Sequence, residues 1–127
     1  MLRILLVSSK EDSLSDLASA LAELGDVDLV RAGSGEKAIA LAGDNDIDLV
    51  VTDEELSDMS GLELAGRFLS VNPMINCTAV SHLSPGEFHE ASEGLGMMDQ
   101  LPLHPGREEA ERLLRDLRTL RGLMNDG

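Results

Sequence analysis

Aromatic residues are almost missing from this 127-residue chain: there is no tryptophan or tyrosine, and phenylalanine occurs only as Phe68 and Phe88. A tyrosine- or tryptophan-based switch or stacking platform is excluded, and the core must be built from Leu, Val, Ile, Ala and Met. Cations are scarce too, 10 Lys and Arg against 24 Asp and Glu, for a formal net charge of −14. That balance argues against a nucleic-acid partner, because basic patches supply most of the affinity for a phosphate backbone. A single cysteine, Cys77, cannot form an intramolecular disulfide and suits a reducing compartment. Set in an apolar stretch, it is expected to be a buried structural thiol. No run approaches the ~18 apolar residues of a membrane span. The apolar part of Met1 to Val7 is too short for a signal peptide, so the expected location is the cytoplasm. No G-x-x-x-x-G-K-[ST], G-x-G-x-x-G or G-x-S-x-G motif follows an expected strand, which leaves nucleotide binding and serine-nucleophile chemistry without support.

What is present is a regular alternation of two periodicities. Hydrophobic residues make up 43% of the chain, and the length suits one domain with one sheet-based core. Leu2 to Val7 is a short apolar run with the character of a strand buried on both faces. Leu14, Leu17, Ala18, Leu21 and Leu24 then recur at helical spacing, stopped by Gly25. Val27 to Val30 is a weak second strand, and Ser34-Gly35-Glu36-Lys37 opens a helix bearing Ala38, Ile39, Leu41 and Ala42. Asp48 to Thr52 is the third strand, followed by a helix carrying Leu62, Leu64, Ala65, Phe68 and Leu69 that Asn72-Pro73 ends. Cys77 to Val80 makes a fourth strand, and Pro85 starts a helix with Phe88, Ala91 and Leu95. Met97 to Leu101 is a weak fifth strand, and Leu113, Leu114, Leu117, Leu120 and Met124 mark a last amphipathic helix. Five strands alternating with five helices imply an α/β fold, a parallel sheet covered on both faces and joined by right-handed crossovers.

The third strand delivers a carboxylate, Asp53, to its C-terminal end, the edge at which open α/β sheets bind ligands. In order and spacing, Ile4-Leu5-Leu6-Val7, Ala32-Gly33-Ser34-Gly35-Glu36-Lys37-Ala38 and Asp48 to Asp53 with Gly61 eight residues on resemble the receiver domain of two-component response regulators. The resemblance covers essentially the whole chain. It implies a doubly wound five-stranded sheet of order 2-1-3-4-5 with helices on both faces, one receiver domain over residues 1–127, whole or part of a longer regulator. It also implies that Asp53 accepts a phosphoryl group from a histidine kinase, with a magnesium ion and a lysine neutralising the transferred charge. Ser81 would supply the hydroxyl that reports the modified state.

The chain departs from that pattern at the charged positions. The acidic-pair positions that normally help hold magnesium are Ser8 and Ser9. Magnesium needs near-octahedral oxygen ligands anchored by one or two carboxylates, and the substitutes within reach are Asp53 itself, Glu55, Glu11 and Asp12. The lysine position falls at Leu103, or at His104 if one residue is inserted, and Gln100 replaces the usual aromatic switch. Lys10 is the one cation expected near Asp53, as a resident neutraliser of the Asp53, Glu54 and Glu55 charges.

The expectation is therefore an atypical receiver, not an enzyme, acting mainly as a protein-interaction module with impaired or absent magnesium-dependent phosphorylation. Its partners would be signalling proteins, a histidine kinase or an effector domain, met through residues 84–103 and the last helix. A working phosphoacceptor at Asp53 is the alternative, and a small flavodoxin-like enzyme or carrier a third. His82 and His104 lie at strand ends on the rim of Asp53, which makes a His/His/Asp metal site conceivable. Half of the cations, Arg107, Arg112, Arg115, Arg118 and Arg121, fall in the last 21 residues. They suggest either a salt-bridged face with Glu108, Glu111 and Asp116 or a homodimer surface on the last helix.

Overall fold

The structure, a computed structural model, describes residues 2–10, 12–25, 27–44, 46–72 and 74–125, with the backbone alone at residues 44 and 121–125. Five strands form one parallel sheet: β1 (Leu2–Val7), β2 (Val27–Ala32), β3 (Leu49–Thr52), β4 (Asn76–Val80) and β5 (Met97–Leu101). Their order is β2-β1-β3-β4-β5, as expected. Between them run α1 (Ser15–Leu24), α2 (Gly35–Asp44), α3 (Gly61–Val71) and α4 (Pro85–Ala91), and α5 (Arg107–Asn125) follows β5.

Side chains alternate across a strand, so the central strands feed two separate cores. Ile4 and Leu6 of β1 and Leu49 and Val51 of β3 pack with Leu17 and Leu21 of α1 and Leu113 and Leu117 of α5. Leu5, Val7 and Val50 point the other way, toward Ala38 of α2 and Leu64 and Phe68 of α3. Because both faces are covered, β3 is buried at all four residues. Edge strand β2 is half-buried at its first four residues, the physical reason its pattern is weak. Cys77 is buried in the second core, and loss of solvent pushes its thiol up to about 11.

Local chemistry sets the helix ends. Ser60 caps α3 by accepting from the Glu63 amide, and Ser84 and Glu87 form a reciprocal capping box on α4, whose first residue is Pro85. Leu95, expected on α4, lies beyond its end. Gly94 and Gly96 take φ of +83° and +65° there, and this glycine turn closes the helix early. The β4–β5 register slips between Cys77 and Thr78, which pair with Met97 and Asp99. This irregularity accounts for the weak alternation of β5. Asn72 caps the end of α3 through its amide to the Phe68 carbonyl, while Pro73 lies outside the described residues.

Candidate functional site

Parallel pairing brings the ends of β1, β3 and β4 into one row, with Val7 opposite Thr52 and Thr52 opposite Ala79. The residues just beyond these ends form the crevice. Asp53 is 6% exposed, and its amide donates to the Val7 carbonyl at 2.9 Å, continuing the β1–β3 ladder past the strand. Oδ1 accepts from the Glu54 amide at 2.9 Å and Oδ2 from the Ser8 hydroxyl at 3.0 Å. The Asp53 carbonyl accepts from Thr52 Oγ1 and faces Gly61, where a Cβ would stand 2.4 Å from that oxygen. Glycine at 61 thus lets the first turn of α3 close against the carboxylate-bearing turn.

Ser8 occupies one of the two positions read from the sequence as lacking the usual acidic side chain. Its hydroxyl also lies 2.8 Å from the Lys10 carbonyl, so its single proton serves one acceptor at a time. Ser9 is occupied structurally: its hydroxyl donates to the Gly33 carbonyl and accepts from the Ser57 amide, both at 2.8 Å. Glu55 is exposed, with backbone pairing to Ser60, and Asp12 is exposed. Glu11 lies outside the described residues. Among the described residues, no group of three or more His, Cys, Asp or Glu side chains is arranged to hold a metal. With the Asp53 carboxylate bonded to one neutral hydroxyl, that of Ser8, and no second carboxylate grouped with it among the described residues, the described donor set does not fit magnesium's preference for carboxylate-anchored octahedral coordination.

The other expected partners are not brought to Asp53. No ion pair joins Lys10 to it among the described residues, so the expected resident neutraliser is replaced by a hydroxyl and an amide. Leu103 is 55% exposed in the β5–α5 loop. His104 is exposed and has φ of +52°, a left-handed backbone in which it makes no hydrogen bond to Asp53. The side-chain Nε2 of Gln100 donates to the Leu83 carbonyl at 2.7 Å, fixing the β4–α4 loop from β5.

Glu54 was not singled out by sequence, yet it organises the rim. One of its oxygens accepts from the His82 amide at 2.9 Å and lies 2.6 Å from His82 Nδ1. Partial burial raises the Glu54 carboxyl, but the His82 contacts and a smaller contribution from the Ser81 hydroxyl together outweigh it, and the net direction is down. Ser81 is buried, accepts from the Leu83 amide at 3.1 Å and makes no hydrogen bond to Asp53. His82 is thus committed to Glu54 rather than to a metal set with His104. Strand register could have found this pair, since Glu54 and His82 each lie just past the ends of neighbouring strands. Asp58 was also missed: it accepts from the Gly35 and Glu36 amides at 2.9 and 3.0 Å, and these bonds hold its carboxyl below the usual range. No local signal connects residues 22 and 23 positions apart.

A family model for the response regulator receiver domain matches residues 4–109. The chain belongs to that family. Among solved structures, this receiver is similar to the signal receiver domain of an HD domain-containing protein from Pseudomonas fluorescens Pf-5. The identity is 22% and the TM-score 0.83, over 98% of this chain and 92% of that one. The chemotaxis response regulator CheY4 of Vibrio cholerae matches with 18% identity and a TM-score of 0.79, over 92% and 98%. A putative pilus assembly protein, cpaE, from Burkholderia thailandensis E264 matches with 18% identity and a TM-score of 0.76, over 94% and 99%. At these identities the structural likeness speaks for the fold. No curated protein matches the chain. No described helix of the receiver is long and apolar enough to cross a membrane.

Proposed function

We propose that this receiver domain works in two-component signalling as a protein-interaction module whose state does not depend on magnesium-assisted phosphorylation of Asp53. The observation that carries the reading is Ser8, a neutral hydroxyl 3.0 Å from Asp53 where a charged metal ligand would be needed. Phosphoryl transfer asks the protein mainly for positioning and charge neutralisation. The site offers positioning without the second half. In this reading the readout differs as well: Ser81 makes no hydrogen bond to Asp53 and accepts from the Leu83 amide, and the Gln100 side chain braces the loop that an aromatic switch would move. In this reading kinase or effector partners are met on residues 84–103 and α5, and the domain is a signalling module rather than an enzyme.

Magnesium titration followed by backbone amide NMR is the test. The wild-type chain is expected to show no saturable shift at residues 8, 53 and 54. Ser8→Asp should create such a shift and, without magnesium, should cost on the order of 1–3 kcal/mol of stability through repulsion with Asp53. Saturable wild-type shifts at those amides would instead support a working phosphoacceptor at Asp53.

A further inference from the structure

Residues 1–106 contain only five cations, Arg3, Lys10, Arg31, Lys37 and Arg67. Arg3 is paired with Asp28 and Arg67 with Glu63. Lys10 and Arg31 have no ion-pair partner among the described residues, and both line one cleft of about 330 Å³ at the C-terminal ends of β1 and β2. The Leu6–Arg31 register places Arg31 on the α1 side of the sheet, while Lys10 leaves the end of β1 beside it. Ser8, Ser9 and Gly33 supply further polar lining, and no described carboxylate lines the cleft.

In a chain of net charge −14, two cations lining one concavity with no carboxylate among its described lining residues make a local reversal of sign. An anion held in the cleft would be attracted by both. A guanidinium presents paired N–H donors that match phosphate oxygens, and a lysine adds a point charge. The volume lies at the lower end of the ~300–1,000 Å³ range of small-molecule sites, which suits a phosphate or a small phosphomonoester. We propose that the Lys10–Arg31 cleft binds a small phosphate-bearing anion. Ser8 lines this cleft and also bonds Asp53, so an occupant sits one hydroxyl away from the family's acceptor position. This inference is independent of whether Asp53 is ever modified.

Titration of the full chain by amide NMR, with inorganic phosphate in one arm and ribose 5-phosphate in the other, tests it. Saturable shifts are expected at residues 8–10 and 31–33. Lys10→Gln and Arg31→Gln should each weaken binding at least tenfold, and Lys37→Gln should leave it unchanged. Tighter binding of the ester would identify an organic phosphate as ligand, and equal binding would identify free phosphate. The proposal is overturned if neither probe gives saturable shifts up to about 10 mM, tenfold above a Kd of ~1 mM. It is overturned equally if both Gln variants bind as wild type does, or if the shifts fall on the arginines of α5 instead. Lys10 and Arg31 are exposed, so the substitutions leave the fold intact, and the wild-type titration stands without them.

Discussion

Asp53, Ser8, Glu54 and His82 show how neighbouring side chains divide the work at one crevice. Asp53 is held by two donors, while Glu54 beside it is tied to His82 across the β3–β4 gap. Because the folded Glu54 carboxyl lies below its ordinary value of 4.5, its contribution to stability is present above that pH and is lost as the pH falls through the folded value. His82→Ala should remove the lowering contacts of the His82 ring, so acid unfolding curves of the variant should lose part of their slope below about pH 4.5. Curves that superimpose on wild type would contradict this role of the Glu54–His82 pair. Gly61 is the second residue with a sharp expectation. A methyl group there meets the Asp53 carbonyl at 2.4 Å, a backbone atom that cannot swing aside. Gly61→Ala should therefore cost about 1–3 kcal/mol in urea unfolding and shift the Asp53 and Glu54 amide resonances. At this scale sequence alone located Asp53, because a strand pattern ending in a carboxylate is local information. It missed Glu54 and Asp58, whose partners come from another strand and another helix.

At the scale of elements, the two periodicities were enough to place every strand and helix, since each buries a face that the pattern exposes directly. The central strands were the clearest: β1 and β3 carry apolar residues on both faces because helices cover both. The weak elements have physical causes, solvent along the edge of β2 and the register slip before β5. Leu95 was misplaced because its helical spacing from Ala91 and Phe88 continues across a turn that Gly94 closes. Asp58 belongs to this scale, because its carboxylate, set between β3 and α3, supplies the acceptors for the first amides of α2. Asp58→Ala leaves those amides without their side-chain acceptor. Hydrogen exchange at Gly35 and Glu36 should accelerate while exchange in β1 and β3 stays unchanged; unaltered rates at residues 35 and 36 would show that Asp58 does not anchor α2.

For the molecule as a whole, charge is the organising quantity. The arginines of α5 were expected either to pair along their own helix or to form a basic face. Within α5, Arg107 reaches Glu111 and Arg115 lies 4.0 Å from Asp116. Two arginines reach out of the helix: Arg107 also meets Glu23 of α1, and Arg112 bonds Asp99 and the Gln100 carbonyl of β5. Much of the positive charge thus fastens α5 to the body, and only tertiary structure could reveal this. The side chain of Arg121 lies outside the described residues. The Asp53 carboxylate, for its part, accepts from one hydroxyl and one backbone amide and has no ion-pair partner among the described residues. The family was legible from the order of the apolar strands and the position of Asp53; the neutral side chains of Ser8 and Ser9 were legible too, and the consequence proposed for them is chemical. Intact-mass measurement after incubation with a small acyl phosphate and magnesium tests that consequence most directly. The account predicts an unchanged mass for the wild-type chain, and a gain of one phosphoryl group that Asp53→Asn abolishes would contradict it.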